Sequence, residues 1–198
     1  MPKTVDIEAR RREIVDAAAR LIARDGLGAA TMRDIAAEAG WTTGVVNHYF
    51  ADKREVLRRT LEHSIEQRRA TRLPPVDDTP VEQLRAELAG ALPLDGEGRR
   101  HWLVTLAFCA QAAGDAELAL VQRDAYRSFR TTVTRLVAAF GWDGDSEARA
   151  ERLIAQVDGV ALQAMFDVES WPPARQRAVL DELLVELATA EVPAALTS

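Results

Sequence analysis

The chain has 198 residues, of which 47% are apolar, and a formal net charge of −6. This length and composition predict a soluble protein of one or two domains. The single cysteine, Cys109, excludes an intrachain disulfide, and its position in the apolar run LVTLAFCAQA predicts a buried structural thiol. Because the sequence shows no secretory signal and no long apolar run, we expect a cytoplasmic protein.

The charged residues are unevenly distributed along the chain. Residues 1–72 hold 14 Lys and Arg against 11 Asp and Glu, whereas residues 73–198 hold 11 against 20. An acidic protein is normally a poor partner for nucleic acid, but here the positive excess lies in the first third of the chain. Within it, Arg10, Arg11 and Arg12 can either contact phosphates or form a solvated basic arm.

The first helix is predicted from about Ile7 to Arg24, ending before Gly26 and Gly28. Its inward-facing residues, which recur at helical spacing, are Ile14, Ala17, Ala18, Leu21 and Ile22. A second helix follows, with Thr31 as its N-cap and Asp34 as a short-armed capping-box partner. Gly40 then stands where a left-handed C-cap is needed.

The next helix is the most informative part of the sequence. Thr43 is predicted to cap it, and Val46 and Phe50 fall on one side of it. The other sides carry small, polar or weakly basic residues: Gly44, Val45, Asn47, His48 and Tyr49. A glycine here costs about 1 kcal/mol relative to alanine, unless the close approach of a partner offsets it. Two short helices joined by a tight turn present the second to a DNA major groove, which predicts DNA binding.

Asp52 is predicted to cap a fourth helix, with Glu55 completing a capping box and Lys53 in the first turn. A lysine at a helix N-terminus is well suited to bind phosphate. The helix extends to about Arg72 and has an apolar stripe of Val56, Leu57, Leu61 and Ile65.

The rest of the chain is also helical in pattern. Pro74-Pro75 with Asp77-Asp78 predicts a domain boundary, and Thr79 with Pro80 opens a helix that ends at about Ala89. The stretch PLDGEG is expected to be a loop. Four more helices are predicted at about Arg99–Ala113, Ala116–Phe140, Ser146–Val168 and Pro173–Ala190, separated by Gly114, by Gly141 with Gly144, and by Trp171-Pro172-Pro173. With no strand signal, the prediction is an all-α fold of about nine helices.

The segment from about Arg10 to His63 resembles the DNA-binding domain of the tetracycline-repressor (TetR) family of bacterial transcriptional regulators. The matching pieces are IVDAAARLIARDGLGAATMRDIAAEAG, then T-T-G, H-Y-F and D-K, in this order and spacing. Trp41 departs from the family, in which a smaller apolar residue is usual, and we interpret it as a larger core plug. The resemblance implies a three-helix helix-turn-helix domain at residues 1–51, with its motif at about 31–50. It also implies a ligand-binding and dimerisation bundle at 52–198, in which 52–72 form the connecting helix.

The resemblance implies a homodimeric, sequence-specific regulator of transcription, most simply a repressor that binds a palindromic operator and is relieved by a small ligand. Phosphate contacts are then expected from Arg33, Thr43, His48, Tyr49 and Lys53. Gly44, Val45 and Asn47 are expected nearest to base edges, and Thr42 can serve either purpose. The alternative is a small-molecule or protein-binding module that keeps the fold without binding an operator, and a gel-shift with the chain's own upstream DNA separates the two.

Aromatic residues and a methionine among small residues suit a cavity for an apolar or amphipathic effector, although plain core is the alternative for each of them. The predicted lining is Trp102, Thr105, Phe108, Gln111, Tyr126, Phe129, Gln163, Met165 and Phe166. Apolar stripes on the last two helices can close the core of a monomer, but the resemblance implies that they pair with a symmetry mate. The predicted interface is Leu153, Val157, Ala161, Ala164, Leu180, Leu183, Leu184 and Leu187.

Enzyme functions find little support in the sequence. His48, His63 and His101 are far apart and belong to no metal-ligand spacing. There is no G-x-S-x-G, no Walker-type loop and no dinucleotide fingerprint. We therefore expect neither catalytic residues nor a metal or cofactor.

Overall fold

A computed structural model of the chain describes residues 7–71, 79–139 and 145–189. In chain order the helices are α1 (Ile7–Asp25), a 3₁₀ turn (Leu27–Ala29), α2 (Met32–Glu38), α3 (Thr43–Tyr49), α4 (Lys53–Thr71), α5 (Pro80–Ala89), α6 (Gly96–Ala112), α7 (Ala116–Ala138), α8 (Ser146–Phe166) and α9 (Pro173–Thr189). These ranges contain no strand, so the predicted all-α fold is confirmed. None of the described helices is both long and apolar enough to cross a bilayer.

The chain divides into two compact units, and the first takes its described residues from Met1–Arg69 and Arg100–Ala125. Helices α1, α2 and α3 contact one another in this unit. The inward residues predicted for α1 are all buried, at 4% exposure or less. The hydrophobic core of the first unit also includes Val56, Leu57 and Leu61 of α4, Val104 and Phe108 of α6, and Leu118 of α7. The predicted DNA-binding motif therefore shares one core with parts of α4, α6 and α7.

The second unit takes its described residues from Ala70–Arg99 and Tyr126–Ser198. Here α9 contacts both α5 and α8. The buried residues include Leu84, Leu88, Val133, Val137, Leu153, Val157, Leu180 and Leu184. The guanidinium of Arg99 donates hydrogen bonds to the carbonyls of Ala164 at 3.4 Å and Met165 at 3.2 Å. It thereby satisfies carbonyls in the last turn of α8 that have no partner within the helix.

Helix ends follow the sequence closely where a capping residue is present. Thr79 caps α5 in a complete capping box with Glu82, and Pro80 is the first helical residue, as predicted. Helix α6 begins three residues earlier than predicted, because the Asp95 carboxylate accepts a hydrogen bond from the backbone N–H of Gly98 at 2.7 Å. The second half of PLDGEG is therefore helical, and its prediction as a loop was wrong.

Cys109 is exposed, so the prediction of a buried thiol was wrong as well. It lies on α6 with its sulfur 3.8 Å from the side-chain nitrogen of Gln122 on α7. The predicted breaks at Pro74-Pro75, at Asp77-Asp78 and at Gly141 with Gly144 lie outside the described residues.

Candidate DNA-binding site

Helix α2, which precedes α3, is capped at both ends. Thr31 caps α2, accepting a hydrogen bond from the backbone N–H of Asp34 at 3.2 Å while its hydroxyl donates to the Asp34 carboxylate. Gly40 follows the helix with a φ of 74°, in the left-handed region that favours glycine. The backbone N–H of Trp41 then bonds to the carbonyl of Ala36 at 2.8 Å. Both caps predicted from the sequence are confirmed, and they fix a tight turn into α3.

Thr42, not Thr43, is the N-cap of α3. Its hydroxyl oxygen accepts a hydrogen bond from the backbone N–H of Val45 at 3.3 Å, and its carbonyl accepts from Val46 at 3.2 Å. Thr43 is the first helical residue, so the predicted cap was displaced by one position. Either threonine can cap a helix, and the geometry of the preceding turn selects the first of them.

The two sides of α3 differ as predicted. Val46 is 0% exposed and Phe50 is 1% exposed, and both belong to the core of the first unit. Gly44, Asn47 and His48 are exposed. The helix contains no acidic residue, so nothing on it repels a phosphate backbone.

Tyr49 and Thr43 lie at the edges of the exposed face and are half-buried. The Tyr49 ring packs against the core and meets the His48 ring edge to face, with centroids 5.2 Å apart. Val45 is half-buried as well. The residues predicted to contact DNA on α3 therefore form one continuous surface that begins at the cap, Thr42.

The start of α4 lies directly after this surface. The Asp52 carboxylate accepts a hydrogen bond from the backbone N–H of Glu55 at 2.8 Å, as predicted. The second hydrogen bond of the predicted capping box differs from the expected one. The Glu55 carboxylate accepts from the backbone N–H of Ala51, at 2.7 Å, rather than from that of Asp52. Lys53 is the first residue of α4 and forms no ion pair within the described ranges. Its ammonium group is therefore available to a phosphate.

Arg33 on α2 is also available, since its side chain is 86% exposed and its nearest carboxylate, that of Asp34, is 4.0 Å away. The arginines at positions 10 to 12 contact other groups of the first unit, and Nε of Arg12 donates to the carbonyl of Glu8 at 3.4 Å. The Arg10 guanidinium lies 4.6 Å from the centre of the Trp41 ring and pairs with Glu13, and that of Arg11 lies 5.5 Å from the centre of the Phe50 ring. Trp41 is half-buried and packs against the core, which agrees with its interpretation as a core plug.

A polar link that the sequence did not predict joins α1 to α2. The Glu38 carboxylate accepts hydrogen bonds from Arg24 at 3.0 Å and from Arg20 at 3.2 Å. The Arg24 hydrogen bond holds the pKa of Glu38 below its ordinary value of 4.5. Because the partners are 14 and 18 residues apart in the chain, no local pattern indicates this link.

The residues predicted to line an effector cavity are divided between the two units. In the first, Trp102 and Thr105 are buried, and Thr105 lies 3.4 Å from His101, a residue the prediction had set aside. Phe108 is fully buried in the hydrophobic core, so it is a core residue rather than an accessible lining residue. Gln111 is exposed.

In the second unit, Met165 is buried and Phe129 half-buried. The Tyr126 hydroxyl donates to the Asp158 carboxylate at 3.0 Å, and Gln163 donates to the carbonyl of Gly159 at 3.3 Å. Phe166 is 78% exposed, which is unsuited to a closed cavity. The effector site stays a prediction.

The predicted dimer residues are mostly buried within the single chain. All except Leu183, which is half-buried, are at 8% exposure or less: Leu153, Val157, Ala161, Ala164, Leu180, Leu184 and Leu187. They stabilise the single chain, and the dimer interface stays a prediction. The apolar side chains left exposed on these helices are Leu162, Phe166 and Val185.

Comparison with known proteins matches the N-terminal and the C-terminal region of the chain to known families. Residues 14–60 match the family described as bacterial regulatory proteins, tetR family, and residues 80–189 match the family described as BetI-type transcriptional repressor, C-terminal. The chain is 32% identical over 173 residues to the HTH-type transcriptional regulator PksA of Bacillus subtilis (strain 168), which covers 84% of each sequence.

Solved structures share the fold. A transcriptional regulator from Rhodococcus sp. Rha1 is 28% identical and gives a TM-score of 0.82 over 89% of this chain and 95% of that one. A regulator from Saccharomonospora viridis in complex with choline is 23% identical and gives a TM-score of 0.83 over 90% and 96%. This chain therefore belongs to the TetR family, with a C-terminal region of the BetI type, and is a DNA-binding transcriptional regulator rather than an enzyme.

Proposed function

We propose that this protein is a repressor that binds a palindromic operator as a homodimer and is relieved by a small ligand. The observation that carries the proposal is the two-sided character of α3. Val46 and Phe50 hold the helix to the core, while Gly44, Asn47 and His48 remain exposed. An anchored helix with a small, polar, acid-free outer face suits insertion into a major groove.

Within this proposal, base edges are read by Gly44, Val45 and Asn47, and phosphates are held by the residues around them. Asparagine can form a bidentate contact with adenine, and an exposed glycine allows the helix to approach closely. The proposed phosphate contacts are Arg33, Thr43, His48, Tyr49 and Lys53, with Thr42 as a further contact. They fix the register of the protein on the duplex without reading its sequence.

The small size of the reading surface favours a dimer. With seven residues, α3 is about 10 Å long and can contact only a few base pairs. Two copies related by a two-fold axis read two equivalent half-sites, which makes the operator palindromic. On α8, Phe166 is 78% exposed and Leu162 is 41% exposed, and a Cβ added to Gly159 would meet no atom within 4 Å. We assign this face of α8 to the dimer.

The effector is proposed to be a small amphipathic molecule. The choline complex of the Saccharomonospora viridis regulator, which shares the fold, supports a small amphipathic effector. A ligand can relieve repression only if it binds the DNA-free arrangement more tightly than the DNA-bound one. By linkage, the operator must then weaken the ligand by the same factor.

The DNA-binding part is tested by selecting duplexes from a random pool with the full-length protein. The expected result is enrichment of one two-fold symmetric sequence. A pool that stays random after repeated rounds, while the protein remains folded, would leave only the alternative of a binding module that does not read DNA.

The effector part is tested separately by following tryptophan fluorescence during titration with choline and with small apolar amines. Each titration is done with and without the selected duplex. Weaker ligand binding in the presence of the duplex is expected. Equal affinity in the two titrations would show that the bound compound is not an effector.

A further inference from the structure

We propose that Arg54 is a positioning residue for operator binding, because its ion pair with Asp115 fixes the first turn of α4 to the corner between α6 and α7. The inference rests on the proposed function, in which Lys53, the preceding residue, contacts a phosphate. A phosphate contact is productive only if the helix that carries it is held in place. Arg54 supplies a tertiary attachment at that point.

Local capping does not hold the start of α4 in place. The bonds from Glu55 to Asp52 and from Ala51 to Glu55 join residues that are three and four positions apart. They determine where the helix begins, but not where its first turn lies relative to the rest of the core. The buried residues Val56 and Leu57 follow in the next positions and face inward.

The ion pair of Arg54 spans 61 residues of sequence. Its Nη2 atom lies 3.0 Å from Oδ1 of Asp115, and its Nε atom lies 3.4 Å from Oε2 of Glu117. Two carboxylates from the start of α7 therefore hold one guanidinium. Arginine suits this role because its planar fork presents several donors in fixed directions.

The acidic side of the pair is itself held in place. Asp115 caps α7, accepting hydrogen bonds from the backbone N–H groups of Glu117 at 3.0 Å and Leu118 at 3.3 Å. The Asp115 side chain is only 14% exposed. Leu118 is 2% exposed and belongs to the same core as Val56. The carboxylate is therefore a fixed point on the core.

Both groups stay ionised at neutral pH. The hydrogen bond from Arg54 lowers the pKa of Asp115 below its ordinary value, and the bond to Asp115 raises the pKa of Arg54. The Arg54 side chain is 59% exposed, so the pair adds little to the free energy of unfolding. Its effect is expected on operator affinity rather than on folding.

Phosphate binding by Arg54 is the competing explanation for any loss of affinity in its variants. A phosphate contact by a cation raises the dependence of affinity on salt by about 0.9 per contact, because bound counterions are released. Loss of positioning also weakens the Lys53 contact, so the salt slope falls in either case. Asp115→Asn separates the two roles, because removing the Asp115 charge frees a phosphate-binding Arg54 but detaches a positioning Arg54.

The test measures operator affinity by fluorescence anisotropy over a range of salt concentrations, using the full-length protein and its selected duplex. The variants are Arg54→Ala, Asp115→Asn and the double variant. Asparagine keeps an N-cap oxygen for α7 while removing the charge. Arg59→Ala is the matched control, since it removes the same charge from α4 but loses only a pair with Glu62 on the same helix.

Each single variant is expected to bind about 3- to 10-fold more weakly, and the double variant no more weakly than either, as for residues that act together. Arg59→Ala should change affinity less. Circular dichroism checks folding, and Asp115→Asn still tests the pair if Arg54→Ala does not fold. Unchanged affinity, additive losses or an Asp115→Asn affinity equal to or above that of the unmodified protein would overturn the inference while leaving operator binding intact. Failure of the unmodified protein to prefer any duplex would overturn the proposed function and this inference together.

Discussion

Gly44→Ala is expected to stabilise the protein and weaken its binding to DNA. Gly44 is exposed on α3, and a Cβ added there would meet only the Thr42 hydroxyl oxygen, at the ordinary contact distance of 3.8 Å. Nothing within the first unit therefore requires a glycine at this position. Its presence is explained if DNA approaches the helix too closely for a methyl group.

The expected effects of Gly44→Ala on folding stability and on operator affinity are opposite in sign. Alanine is favoured over glycine in a helix by about 1 kcal/mol, or less in the first turn. For a chain of this size, such a gain raises the thermal midpoint by about 2–4 °C. A methyl group that displaces the helix from the groove should cost about 1–3 kcal/mol of binding, which lowers operator affinity by about 5- to 150-fold.

Thermal unfolding followed by circular dichroism and operator binding followed by anisotropy measure the two effects on the same sample. Gly96→Ala is the matched control, because Gly96 is also exposed in the first turn of a helix and an added Cβ would meet nothing within 4 Å. It should raise the midpoint without changing affinity. A more stable Gly44→Ala protein with unaltered operator affinity would refute the close approach.

Three further predictions concern charge, assembly and pH. Lys53→Ala should weaken binding to all sequences and lower the salt slope by about 0.9, as measured by operator affinity at several salt concentrations. Asn47→Ala should instead change the preference at one base pair by about 1–3 kcal/mol, as measured by affinity for operators with single base-pair changes. Phe166→Glu should give folded monomers in light scattering, and a dimeric Phe166→Glu protein would contradict the assigned face of α8. Ala164→Glu should instead lower the thermal midpoint of unfolding, because the Ala164 side chain is only 2% exposed. Glu38→Gln should be less stable than the unmodified protein at neutral pH and equally stable in acid. The pKa of Glu38 is lowered in the folded state, so the carboxylate stabilises the fold above the ordinary pKa of 4.5, and this stabilisation is lost as the pH falls through the folded-state pKa. Equal midpoints at neutral pH would contradict this.

The sequence predicted most of the fold because most of the fold is locally determined. Helical periodicity alone placed Val46 and Phe50 on the inner side of α3, and both are buried. Gly40 has the positive φ that its position after α2 indicated. Capping chemistry and apolar spacing act over a few residues, so they can be read directly from the chain.

The errors occurred where the determining contact is not local. The part of α6 from Trp102 to Ala110 is apolar almost all round, so its pattern could not show that Cys109 faces outward. The stripes on α8 and α9 have the same spacing whether they meet their own chain or a second copy, so the sequence could not show that residues such as Leu153 and Leu184 are buried in the single chain. The pair between Arg54 and Asp115 joins residues 61 positions apart, which no motif indicates.

The central claim is that the exposed face of α3 reads a specific DNA sequence. The most direct measurement compares the affinity of the full-length protein for its selected duplex with that for a scrambled duplex of the same composition at physiological salt. We predict that the selected duplex binds at least about 10³-fold more tightly, as is typical of sequence-specific regulators. Equal affinity for the two duplexes would contradict the claim.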